Sequence, residues 1–373
     1  MRDVSDRWIQ TAKSGGDLIA TLTCHPPPAA DADPFELTMA SASVEQELGT
    51  GPRWSASIDV EPVVGQDTWQ LVSWPGTWFE LQVGWRYGPG AQEMISYGQY
   101  VHSDAPTFEL RNRMSLNLAD RWTDLDRARY DRTFKPSSGP RTRRVEDAVR
   151  TALGEEQPVS VRIADGGSIG GEAEWDERTT LISDLSKDGG FESYFDYDGV
   201  FVMADPPTIG RPVHIFSDGS GADIQDLTRG GRFTKYYNRV SVYPQNPDEL
   251  NFTPHTATLD EPHHPLDPRN MRGLHVVYKH ASPTISNSNQ ANRTAHSLLV
   301  KVLRQRLERD VSTRNTAHLE PGDTVGIALS ATQTEPESVE KWLVAKTSFD
   351  PLTGSSSVTL TSSAEPEMTE EAA

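Results

Sequence analysis

The first 125 positions alternate short β-patterned runs with Gly, Pro and Asp turns, and no convincing amphipathic helix stands among them. The clearest run is Phe79-Glu80-Leu81-Gln82-Val83-Gly84-Trp85, where apolar residues at every second position put one face of a strand in a core and leave the other wet. Arg53–Pro62, Tyr97–Ser103 and Thr107–Leu118 behave similarly, and Tyr87-Gly88-Pro89-Gly90 is one of the turn signals that separate such runs. The pattern predicts an N-terminal β-barrel or sandwich over residues 1–130.

The texture changes after Trp122. Lys135–Pro140, rich in Pro, Ser and Gly, reads as a linker. Val145, Ala148, Val149, Ala152 and Leu153 then recur at helical spacing, with Gly154 where a C-terminal cap belongs. Val159–Ile163 alternates as a strand, and Leu181, Ile182 and Leu185 mark a second helix that Gly189-Gly190 stops. Phe191–Phe195 and Gly199–Met203 flank Asp196-Tyr197-Asp198 as a hairpin, because Asp tolerates and Gly favours the positive φ of a tight turn. Residues 131–205 are therefore expected to form a small α/β module.

From Val213 the strand pattern returns through Val213–Phe216, Arg239–Tyr243, Leu274–Tyr278, Thr324–Leu329, Val339–Lys346 and Ser357–Thr361. This predicts a second β domain over 206–362. A helix over 291–309 interrupts it, with Ala291, Ala295, Leu298, Leu299, Val302, Leu303 and Leu307 as its apolar stripe and Arg304, Arg306 and Arg309 near its end. Pro244–Asn270 lacks periodicity and reads as a long loop of the kind that mediates contacts. The acidic tail 363–373 is expected to be disordered. The fold class is mainly β with an α+β insert.

Charge narrows the function. Lys and Arg total 35 against 54 Asp and Glu, a net charge of −19 that repels phosphate backbones, so tight nucleic-acid binding is not expected. No apolar run approaches the roughly 20 residues that span a bilayer, and Met1–Ala20 lacks a basic-then-apolar leader pattern, which predicts a soluble product made in the cytoplasm with no membrane insertion. The single cysteine, Cys24, excludes an internal disulfide framework and a thiolate metal cage.

The local motifs that suggest chemistry each have a plainer reading. Gly166-Gly167-Ser168-Ile169-Gly170 matches the nucleophile elbow G-x-S-x-G, but the residues after it are acidic and aperiodic where the elbow needs a helix, which favours a glycine-rich surface loop. His255, His263 and His264 with Asp260, Glu261 and Asp267 offer imidazole and carboxylate to a divalent ion, yet their spacing matches no zinc signature, and a solvated loop is preferred. Asp218 and Asp223 around Gly219-Ser220-Gly221-Ala222, and Asp196-Tyr197-Asp198-Gly199, resemble calcium loops only loosely, since neither supplies the distal bidentate Glu, and turn chemistry explains both. Trp69, Trp74, Trp78 and Trp85 fit core packing first, a subunit interface second and sugar stacking third. No carboxylate pair is singled out for glycoside hydrolysis.

Taken in order, several segments resemble the hub proteins at the distal end of bacteriophage tails, particularly minor tail proteins of phages infecting actinobacteria. Trp78–Trp85, Gly98-Gln99-Tyr100-Val101 and Leu118-Ala119-Asp120-Arg121-Trp122 leading into Ala128-Arg129-Tyr130 look like that family's N-terminal barrel and its exit. Trp175 through Gly199 looks like the hub's central module. Tyr237-Asn238-Arg239-Val240-Ser241-Val242 resembles a recurrent hub strand, and Leu319-Glu320-Pro321-Gly322-Asp323-Thr324-Val325 a Pro-Gly-Asp turn into a late barrel strand. The resemblance implies two tube-like β-barrel domains per subunit, with three copies presenting six similar barrels to a six-fold tail tube around the DNA exit channel. It also implies a homotrimer in the virion whose partners are the tail tube or distal tail protein, the tape-measure protein and tip or fibre proteins, with genomic DNA passing unbound through an acidic lumen. The family carries no catalytic motif, so no catalytic, cofactor-binding or metal residue and no cofactor is expected. The 244–270 loop is longer than a bare barrel connection needs, and no fibre or cell-wall hydrolase region follows Thr361, which assigns receptor binding and lysis to other proteins. The alternatives are a carbohydrate-binding or host-recognition tail module and, further off, a serine or glycoside hydrolase.

Overall fold

The computed structural model describes residues 2–61, 66–108, 113–163, 166–170, 173–218, 223–231, 236–244, 254–262, 264, 266–282, 284–285, 288–304, 307–328 and 339–362. The chain is mainly β. Among these residues the principal sheet has 14 strands and draws them from both ends of the sequence. The main path runs Asp226–Gly231, Leu307–Arg314, Ser355–Ser362, Val339–Phe349, Met39–Glu47, Trp54–Val60, Met114–Ala119, Ala91–His102, Trp78–Gly88, Asp17–His25 and Phe35–Leu37. The alternating run at 79–85 lies in the Trp78–Gly88 strand, paired antiparallel on both sides, and sends Phe79, Leu81, Val83 and Trp85 into the first core as its period of two requires.

One strand joins the two ends of the chain. Val339–Phe349 pairs through Val339–Leu343 with Thr324–Ala328 and through Lys346–Phe349 with Val44–Glu47, while its ladder to Ser355–Ser362 shifts register between Val344 and Lys346. A register shift of this kind bends and twists a strand, which lets one strand serve two differently oriented sheets. Trp342 and Val344 fill the core of the late strands, whereas Phe349 is buried in the first core.

Helices depart from the expectation in the first 125 residues. Asp6–Ser14 is a helix capped by Ser5, whose hydroxyl accepts from the Trp8 amide at 3.1 Å, and Gln66–Ser73 and Trp122–Arg127 are helical too. Each is under three turns, too short for a clear apolar stripe; in the first, Trp8 is the buried residue.

The α/β module contains the expected helices Arg141–Leu153 and Arg178–Gly189, the latter ended by Gly190 in the left-handed conformation at φ 76°. Val159–Arg162 runs parallel to Phe201–Ala204, which pairs antiparallel with Glu192–Phe195. The 135–140 segment is more than a linker: Gly139–Pro140 pairs with Ser168–Ile169, and Phe134 bridges Trp175.

The expected helix over 291–309 occupies Ser288–Arg304, and Leu307–Arg314 is a strand of the principal sheet, so Leu307 and Arg309 do not belong to the helix. Val311 in that strand is fully buried, and the strand pairs on both edges, a period of two that the helical stripe masked. The helix packs on its own three-stranded sheet of His255–Thr258, Arg239–Pro244 and Val277–Ser282, with Val240, Val242, Ala257 and Leu298 in one core. The 244–270 segment thus contains a strand and is not a plain loop; 245–253, 263 and 265 lie outside the described residues, as do 219–222 and the tail 363–373.

Candidate functional site

The elbow motif does not assemble. Ser168 is exposed on a two-residue strand paired with Gly139–Pro140, and the Gln290 side-chain amide donates to its carbonyl at 3.2 Å. It borders a cavity of about 430 Å³ that Arg141, Asp188 and Arg293 also line. Asp188 is committed elsewhere, to His280, Ser282 and Thr284.

The histidine and carboxylate cluster resolves into turn architecture. His264 is buried, and its Nδ1 accepts from the Leu266 amide at 3.1 Å. Asp267 accepts from the Glu261 amide at 2.9 Å and from the Arg269 guanidinium at 2.7 Å. His255 lies on a strand, His263 lies outside the described residues, and no group of three potential ligands is found among those described. Asp196 accepts from the amides of Asp198 and Val200 at 3.1 and 2.9 Å, the turn chemistry that its sequence suggested.

The tryptophans divide. Trp85 is buried edge-on against Trp8 at 6.2 Å, Trp78 stacks on His25 at 3.7 Å, and Trp69 packs on the first core. Trp74 is 40 % exposed.

What the fold does assemble are two seams. At the first, Arg2 is buried between the two β regions, its guanidinium 4.5 Å from the Tyr97 ring and 5.2 Å from that of Trp54, with further hydrogen bonds to the carbonyls of Ala317 and Leu319. Tyr97 reaches this position through a bulge: Leu81 pairs with Gly98 and Gln82 with Ser96, and Gly98 takes φ +137°, a conformation unfavourable to a side chain. Nearby, Asp120 accepts from the amides of Arg53, Trp54 and Trp122 at 2.7, 3.1 and 3.0 Å. Burial outweighs these bonds and raises its carboxyl to about 7. Trp54 Nε1 donates to the Phe195 carbonyl at 2.9 Å, which ties the α/β module to the same seam.

At the second seam, the α/β module meets the 236–304 unit through Asp188. Its carboxylate is reached by His280 Nε2 at 3.0 Å and by the hydroxyls of Ser282 and Thr284, and its carbonyl by Thr294 at 3.2 Å. Beside it Lys187 donates to the Tyr278 hydroxyl at 3.2 Å. These residues were missed in the sequence. Asp188 alone carried a signal, an acid in the last turn of a helix, where the macrodipole favours a cation.

The outer surface presents strand edges. Among the described strands, Phe35–Leu37 and Asp226–Gly231 end the main path of the principal sheet, and His214–Ser217 pairs only with Thr324–Ala328. Ile215 on that last edge is 44 % exposed and the adjoining Val213 39 %. A strand that pairs on one side among the described residues and turns apolar side chains outward is ordinary material for strand-mediated association.

No family model matches the chain, and no curated protein does. Solved structures do. A tail protein from Neisseria meningitidis MC58 aligns over 92 % of this chain and 96 % of its own length, with TM-score 0.64 and 10 % identity. The prophage MuSo2 43 kDa tail protein from Shewanella oneidensis aligns over 91 % and 97 %, with TM-score 0.57 and 10 % identity. Prophage tail protein gp18 from Listeria monocytogenes EGD-e aligns over 91 % and 94 %, with TM-score 0.57 and 11 % identity. The chain therefore has the fold of these tail proteins, at a level of identity where sequence comparison alone is silent.

Proposed function

We propose that this chain is a structural virion protein: a trimeric hub at the distal end of a phage tail that joins the six-fold tube to a three-fold tip and surrounds the DNA exit channel. The observation that carries this reading is the end-to-end correspondence with tail proteins, which spans more than nine-tenths of both partners in each alignment given above. Two β regions share the strand Val339–Phe349, and if each acts as one tube-like unit, three subunits would offer six of them to the tube. A ring of this kind needs a heterologous interface that closes, and the exposed edge around Val213 and Ile215 is suited to one side of it. The net charge of −19 fits a lumen that repels DNA and lets it slide.

The reading assigns no catalysis. Ser168 lies on a two-residue strand paired with Gly139–Pro140, and the buried carboxylates Asp120 and Asp188 are taken up in holding segments together. Partners on this reading are sister copies, the tube or distal tail protein, and tape-measure and tip proteins. No helix among the described residues is long and apolar enough to cross a membrane. A host-glycan reading would lean on Trp74, since the other three tryptophans of its stretch are wholly or partly taken up by packing. Light scattering on the purified chain, followed by imaging of the particles, tests the proposal. Closed rings of three copies are expected, and a strict monomer at assembly-like concentration would count decisively against it.

A further inference from the structure

The amino-terminal arm makes contacts that the hub reading does not use. Residues 2–5 run between two anchor points. At one, the Arg2 amide donates to the His318 carbonyl at 3.0 Å and the Arg2 guanidinium to the carbonyls on either side, Ala317 and Leu319. At the other, the Ser5 amide and hydroxyl bind the Glu93 carboxylate at 2.9 and 2.6 Å. His318 belongs to the loop before the Thr324–Ala328 strand, and Glu93 to the Ala91–His102 strand, so the arm straps the late β region onto the early one.

Under the strap lies a chain of buried polar groups. His318 Nε2 is 3.4 Å from His214 Nδ1, and His214 Nε2 is 2.8 Å from Asp223 Oδ2. His318 is 1 % exposed, His214 8 % and Arg2 2 %. The charged groups acting on His318 come from several elements: His214 with Asp223 behind it, Arg2 from the arm, the amino terminus of the chain, and Lys13 from the first helix. Burial, with the charges of His214 and Arg2 adding to it, pushes the His318 imidazole down to about 3. Burial would raise Asp223, but hydrogen bonds from His214 and the Ser217 amide outweigh it and hold its carboxyl below the usual range. A proton on His318 would thus add to the buried positive charge of the Arg2 guanidinium, while the Asp223 carboxylate is already engaged by His214.

We propose that the arm is an acid-releasable strap: a further positive charge on buried His318 beside His214 and Arg2 is disfavoured while the arm is docked, so mild acid detaches residues 2–5, while the Lys346–Phe349 ladder keeps the two β regions joined. The sign follows from linkage. A docked imidazole depressed below its free value takes up its proton only when the strap opens, so opening is favoured as pH falls below about 6.5. With a free value near 6.5 and a docked value near 3, moving from pH 7 to pH 5 multiplies the opening equilibrium by about 25-fold.

Hydrogen exchange of the full chain, followed by mass spectrometry and corrected for the intrinsic pH dependence of exchange, reads this directly. The segment 2–14 is expected to lose protection by about 25-fold between pH 7 and pH 5 while the 79–85 strand keeps its own. In His318→Gln the change should shrink below about threefold, because the ionisation is gone. Arg2→Gln keeps both imidazoles and should open the strap at pH 7 already. Unchanged protection of 2–14 in the native chain, parallel loss in 79–85, a full pH response in His318→Gln, or full protection in Arg2→Gln would each overturn the proposal.

Discussion

The two β regions and the two inserted units are each joined in a different way. The β regions share main chain: Lys346–Phe349 hydrogen-bonds to Val44–Glu47, and Phe349 fills the first core. The inserted units meet chiefly through side chains on one carboxylate, Asp188, with His280, Ser282 and Thr284 gathered on it. A ladder spreads its energy over many backbone groups and tolerates most single substitutions, whereas a polar node concentrates it and fails when one atom is removed. The first kind of joint suits a rigid wall. The second suits units that must hold one position yet can be displaced as bodies.

The largest effect should come from emptying the shared strand's anchor. Phe349→Ala removes a ring that is 1 % exposed, and denaturant unfolding should show a loss of about 3–5 kcal/mol, with the early and late β regions separating into distinct transitions. A loss under about 1 kcal/mol would mean that the strand's hydrogen bonds alone hold the regions together.

Asp188→Asn should be milder. An amide cannot accept from all three neighbours, so some buried donor is left unpaired at a cost of about 1–3 kcal/mol. Its signature is locality: exchange should rise in 277–304 and stay fixed in 79–85. Uniform loosening across the chain would erase the contrast between the two joints.

The smallest effect on stability belongs to the exposed His214–Ser217 edge. Ile215→Glu should leave unfolding within about 0.5 kcal/mol of the parent, since the side chain is 44 % exposed, while abolishing higher-order assembly measured by sedimentation. Unaltered assembly would move the interface to another edge.

How much of this was legible in the sequence follows the same division. The strands with strict alternation, such as Trp78–Gly88, and the helix with a long stripe, Ser288–Arg304, stood out because burial imposes a period on them. The end of that helix is masked in the sequence because Leu307 and Arg309 continue the helical spacing by coincidence, and only pairing with Ser355–Ser362 and Asp226–Gly231 reveals the strand. The strand at His255–Thr258 was hidden in a polar segment, where its one fully apolar-facing position, Ala257, is too small to register. Neither seam could be read, since Arg2 and His318 are 316 positions apart by their numbering and nothing local marks either. The order of weak motifs carried the fold class further than any one motif, because each turn or strand signal is common but their succession is constrained by the architecture.

The most direct test of the whole account is the mass and symmetry of the assembled particle, taken together from light scattering and averaged electron images at the concentration at which tails form. The account predicts three copies around a three-fold axis, with six β units lining an open bore. A monodisperse single chain, or an open filament with no closure, would contradict it.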